Sequence, residues 1–181
     1  MVQGNSDIAT GNSHIPRLSK VLDKVVTDIG EIAAWLNVVL VMVIITQVVL
    51  RYIFSSGLVV LEELQWHLYA VVIMLALSYC TTHDAHIRLD LFHERFPERR
   101  KEVVDLLGTV FLLIPMVIII LVHSWPFVAE SIRLNEASDS VVGLPFRWVV
   151  KSFLLFGFGL LGLAGVSRLI RAVAFLVRSP R

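Results

Sequence analysis

The sequence predicts an all-α integral membrane protein with four transmembrane helices and an N-terminal amphipathic helix at the membrane interface. Four stretches free of Asp, Glu, Lys and Arg carry that prediction: Ile32–Leu50, Leu64–His83, Leu106–Ala129 and Ser152–Ser167, of 19, 20, 24 and 16 residues. A hydrocarbon layer about 30 Å thick needs roughly 20 helical residues rising about 1.5 Å each. The composition agrees, with 56% hydrophobic and 17% charged residues, far from that of a soluble domain. The third observation is an unequal distribution of basic residues around the four runs, which bears on orientation. Spans are expected at about 32–53, 62–82, 104–128 and 148–170, within one four-helix membrane domain over 15–178.

Four spans occupy about half of the 181 residues, leaving too little chain for a separate catalytic domain. No catalytic residue, cofactor or metal site is expected. The net charge of +1 gives no reason to expect nucleic acid, because the basic residues flank spans rather than line one face. Cys80 is the single cysteine. It has no partner for an internal disulfide and is expected to pack as a small apolar residue.

The elements follow in order. Residues 1–14 are polar and lack the apolar core of a cleavable signal peptide, so a disordered cytoplasmic tail is expected. Over Ile15–Ile29, Leu18, Val21, Leu22, Val25, Val26 and Ile29 recur at helical spacing, with Arg17, Lys20, Asp23, Lys24 and Asp28 on the other side. That pattern predicts an amphipathic helix lying at the membrane surface and leading into the first span. A helix packed on the soluble face of a partner would look the same.

The first span holds Asn37, Thr46 and Gln47, polar residues that turn toward other helices in a membrane. Arg51 and Tyr52 suit the outer interface, and Ser55-Ser56-Gly57 breaks the helix. The next helix opens with Glu62, Glu63, Gln65 and His67, beside the interfacial residue Trp66; Glu63 and His67 are i, i+4 neighbours. Two roles stay open for these acids: favourable placement at a positive helix N-terminus, or contact with another subunit.

In the loop His83–Glu102, Ile87, Leu89 and Leu91 alternate with Arg88 and Asp90, which predicts a short extended piece. Phe92 and Phe96 are expected against the membrane or a partner, and Pro97 in the first turn of the third helix. His83, His86 and His93 with Asp84 and Asp90 match no closed zinc pattern. Pro115 lies inside the third span, which ends with His123, Trp125 and Pro126. After the outer loop, Pro145 is expected to open the last helix, with Trp148 at the interface. Gly157–Gly162 spells G-x-G-x-x-G, the dinucleotide fingerprint, but inside a span it lacks the strand and open helix N-terminus that motif needs. Gly159, Gly162 and their neighbours are expected instead to admit a close helix backbone.

With the N-terminus inside, twelve basic residues fall on the cytoplasmic side, in the segments bearing Arg17–Lys24, Arg88–Lys101 and Arg168–Arg181. Only Arg51, Arg133, Arg147 and Lys151 fall outside, out of 16 in all. The positive-inside rule therefore predicts both termini in the cytoplasm.

Four landmarks in register, covering about residues 20–175, resemble the small membrane subunit of tripartite ATP-independent periplasmic (TRAP) transporters, the DctQ-like family. They are Arg51-Tyr52-Ile53-Phe54, Leu61-Glu62-Glu63-Leu64, His86-Ile87-Arg88-Leu89-Asp90 and Gly143-Leu144-Pro145. Trp66-His67 and Ser124-Trp125-Pro126-Phe127 look most like the mannitol/chloroaromatic-type subgroup. The resemblance implies a bacterial inner-membrane location and two protein partners, a periplasmic substrate-binding protein and a large permease subunit that carries an organic anion, commonly a carboxylate, on a sodium gradient. It implies that the small subunit is a static support holding neither the substrate nor the sodium site. The residues expected at the subunit interface are Arg51, Glu62, Glu63, Trp66, His67, His86, Arg88, Asp90, Gly159 and Gly162.

By composition, no span carries a charge near its midpoint, so no ion relay is expected. Nor does the chain show inverted, interrupted half-helices of the kind a self-sufficient carrier uses. A second reading, from a different class, is a small b-type haem subunit of a respiratory complex with His67 and His123 as axial ligands. Their places near span ends, and the lack of a second pair, count against it.

Overall fold

The computed structural model describes residues 17–83, 97–140 and 142–178. The expected tail over 1–14 and the expected extended piece at Ile87–Leu91 lie outside the described residues. So do the candidate residues His86, Arg88 and Asp90. Every regular element among the described residues is a helix: α1 (Arg17–Tyr52), α2 (Val59–Thr82), α3 (Glu98–Gly108), a π-helical turn (Thr109–Leu113), α4 (Ile114–Arg133) and α5 (Arg147–Arg178). Together α3, the π-turn and α4 form one third span. Four helices are long and apolar enough to cross a membrane.

The segment expected to lie on the membrane surface is instead the first part of α1, unbroken into the first span. No proline interrupts these 36 residues, about 54 Å of helix. Gly30 is the one weak point, at about 1 kcal/mol relative to alanine. It does not break the helix because the Tyr79 ring of α2 packs directly on it: a Cβ there would stand 2.2 Å from Tyr79 Cδ2. One residue of its polar side, Asp23, is bonded to α5. The helix ends where expected, at a turn in which Ser55 takes φ 50° and the Ser56 N–H donates to Leu50 O (3.0 Å).

Pro97 stands one residue before α3 rather than in its first turn, and its carbonyl accepts from the Arg100 and Lys101 N–H groups. The π-turn ends as Ile114 N–H donates to Thr109 O, one residue farther back than in an α-helix. Its position just ahead of Pro115 has a physical reason. Proline offers no N–H, and its ring crowds the carbonyl four residues earlier, that of Phe111. A widened turn there relieves the crowding without breaking the span. Likewise α5 starts at Arg147, two residues after Pro145, because Phe146 adopts φ 64° and cannot continue a helix.

The last helix is the centre of the fold. Helices α1 and α2 pack on each other and on α5, while the third span packs on α5 alone among its well-developed contacts. The core at the α1–α2–α5 junction is Ala33, Val71, Leu75 and Leu160, with Ile29, Leu36 and Phe153 around it. Two glycines set the close approaches on α5. A Cβ at Gly157 would stand 2.8 Å from Met74 Cβ, and one at Gly165 would stand 2.6 Å from Leu113 Cδ2.

Candidate functional site

The polar residues of this fold collect at its two ends. We call the end where α1 begins and α5 finishes the near end, and the opposite one the far end. At the near end Ser167 Oγ donates to Asp23 Oδ1 (2.7 Å), and Arg171 pairs with the same carboxylate (3.3 Å). Arg168 of α5 reaches Asp105 of α3 (2.9 Å). Side chains at these pairs keep only 17–28% exposure, so Coulomb attraction is less screened than at an open surface. Three helices are thus tied by their ends. Thr27 Oγ1 and His83 Nε2 add a contact of 3.3 Å between α1 and α2.

At the far end the two adjacent acids of α2 do different things. Glu62 is half-exposed and faces α1: Gln47 Nε2 donates to it (3.3 Å), and Arg51 Nη1 stands 3.6 Å away. Glu63 faces the outer loop instead. The Leu144 N–H donates to Glu63 Oε2 (2.6 Å), and the Ser138 hydroxyl donates to its other oxygen. Both oxygens of Glu63 are therefore engaged within the chain. His67 Nδ1 lies 2.5 Å from the Glu63 backbone carbonyl. Trp66 remains exposed, edge-on to Tyr69.

Glu136 is the second organiser of that loop, and its role was not legible from the sequence. It accepts from Ser131 Oγ (2.8 Å) and from Lys151 Nζ, and Arg147 comes within 4.0 Å. The Lys151 bond, then the Ser131 bond, hold its carboxyl below the usual carboxylate range against the opposing effect of burial. Lys151 also sits over the Phe127 ring at 4.1 Å, joining the loop to both α4 and α5. The loop's own backbone closes with Ser138 N–H to Leu144 O (3.2 Å) and Arg147 N–H to Glu136 O (3.0 Å).

Of the residues expected at an interface, Arg51, Glu62, Glu63, Trp66 and His67 are brought together at the far end. The two glycines part company. A Cβ at Gly162 would meet Val117 at 3.3 Å, inside the fold, whereas one at Gly159 would meet nothing within 4 Å. Gly159 lies on the same side of α5 as the exposed Phe156, Leu163 and Val166. The two histidines of the haem reading do not face each other. Each ring Nδ1 is satisfied by a carbonyl of its own helix, and α2 and α4 pack on α5 rather than on one another.

Four apolar spans of unequal exposure, with polar ties at both ends and large apolar faces turned outward, describe a membrane component with surface to spare. The profile of a family described as the DctQ component of tripartite ATP-independent periplasmic transporters matches residues 40–175. The chain belongs to the DctQ family. A relative in Haemophilus influenzae, named as a TRAP transporter small permease protein, is 25% identical over 103 residues. That match covers 57% of this chain and 61% of the relative, so the chain spans less than two thirds of the length of the curated protein it resembles. The DctQ match runs from the middle of α1 to the last turns of α5 and takes in the whole far-end cluster.

Proposed function

We propose that this DctQ-family chain is the small membrane subunit of a TRAP transporter in the bacterial inner membrane. It supports a large permease subunit that takes up an organic anion, in our reading a carboxylate, on a sodium gradient after delivery by a periplasmic binding protein. The family match across all four spans is the observation that carries this reading. The paired ends suit a fixed support: each helix is pinned to α5 or to a neighbour, leaving apolar faces for lipid and for the permease. Both termini are placed in the cytoplasm, with the far end toward the periplasm, on the distribution of basic residues. Within the proposed interface, Arg51, Glu62 and Trp66 offer exposed contact positions, Gly159 leaves open space where a Cβ would stand, and Glu63, His67 and Gly162 shape the surface from within.

Affinity purification of the tagged chain from membranes that also express a large TRAP permease subunit of the same organism tests this function. The large subunit should be retained in a fixed ratio, and uptake should fail when this chain is deleted. A chain that purifies alone, from cells whose uptake survives its deletion, would refute the assignment.

A further inference from the structure

The register of the helices places a carboxylate at a depth where the uncharged runs alone show none. Gly30 of α1 lies directly against Tyr79 of α2, and Glu31 is the next residue. Five residues before Tyr79, Met74 packs on Gly157 of α5. Because α2 and α5 run parallel, Tyr79 is level with the neighbourhood of Gly162. Gly162 in turn packs on Val117 of α4, which lies midway along the uncharged run Leu106–Ala129, about 17 Å from either end.

Two other rungs hold α1 in this register. Gln47 meets Glu62 near the far end, and Asp23 meets Ser167 near the other. Ser167 closes the uncharged run of α5, whereas that of α1 opens only at Ile32, nine residues past Asp23. The apolar part of α1 is therefore displaced about 13 Å toward the far end. Glu31 stands level with the middle of the third span.

Glu31 is exposed. Among the described residues it has neither a hydrogen bond nor an ion pair. One turn on, Trp35 is 74% exposed, with no acceptor for its indole N–H among the described residues. Val38 and Met42, both exposed, continue the stripe at spacings of three and four. A carboxylate facing hydrocarbon is costly, and indole rings favour the interfaces over mid-depth. A protein neighbour resolves both: a cation compensates the carboxylate, and an acceptor takes the N–H. Both residues precede the family match.

We propose that the Glu31–Trp35–Val38–Met42 stripe of α1 seats a transmembrane helix of the large permease subunit, one that presents a basic side chain to Glu31. The inference rests on the transporter reading above and adds the face and the complementary charge. A photo-crosslinking residue placed at Val38 or Trp35, in membranes expressing the complete transporter, tests it. Adducts with the large subunit are expected at both positions, and E31K should lower the large subunit retained at least fivefold, with E31Q losing less. Adducts with lipid alone, or with a second copy of this chain, overturn the inference, provided the unmodified chain retains the large subunit in the same membranes. If the unmodified chain retains none, the transporter reading falls and the inference with it. The Val38 cross-link leaves Glu31 and Trp35 intact, so a folding defect in E31K does not decide the outcome.

Discussion

Glu63 joins α2 to loop residues 75 and 81 positions away along the chain, whereas Glu62 beside it reaches back to Gln47 and Arg51. Nothing in a pair of adjacent acids distinguishes those roles; the difference is one helical step of about 100°. E63A removes both acceptor oxygens, so the Ser138 hydroxyl and the Leu144 N–H both lose their partner. We expect the Leu144 amide to exchange roughly 10- to 150-fold faster, the span a hydrogen bond to a charged group contributes. Unchanged exchange would show that the loop closes by other contacts. Reversing Glu62 to lysine leaves the loop intact, sets like charge beside Arg51, and is expected to weaken retention of the large subunit. Glu136 makes the same loop sensitive to acid. Its folded carboxyl titrates below the ordinary range because Lys151 and Ser131 stabilise the anion. Stability from such a group is complete above the ordinary value and is lost as pH falls through the depressed one. Loop protection should therefore hold at neutral pH and collapse in acid. In E136Q that acid step should shrink in a titration of exchange at the Arg147 amide, whose N–H donates to the Glu136 carbonyl; an unchanged step places the pH dependence in another group.

The glycine-rich stretch of α5 separates what a sequence shows at the scale of an element from what it hides. Its density of small residues marks a helix meant for close approach. Which side each glycine serves depends on neighbours distant along the chain, Met74, Leu113 and Val117. G165L would drive a side chain into Leu113 and should destabilise the purified chain by about 1–3 kcal/mol. G159L meets open space and should change its stability by less than about 0.5 kcal/mol. Comparing thermal unfolding in detergent for the two variants checks the assignment, and equal losses would contradict it. Continuity of α1 was hidden in a similar way. Within the amphipathic pattern over Ile15–Ile29, Asp23 answers to Ser167 and Arg171 of α5, while Lys20, Lys24 and Asp28 are exposed. A reading confined to one segment has no access to that partner.

For the whole molecule, the four spans and their order were legible because a hydrocarbon layer imposes length and apolarity on each helix independently. Relative depth was not, because it is set by contacts between helices. That is why Glu31, outside any uncharged run, comes to lie level with Val117. The candidate interface was legible in part. Arg51, Glu62, Glu63, Trp66 and His67 share the far end, while Gly162 and both oxygens of Glu63 are used internally. The proposed role as a support rests on helices tied at both ends around α5, with apolar faces turned outward. Uptake by proteoliposomes tests that claim most directly, using the large permease and binding protein with and without this chain. Our account predicts sodium-driven uptake only when this chain is present, with substrate and sodium binding retained by the large permease alone. Full uptake without this chain, or substrate binding by this chain in isolation, would contradict it.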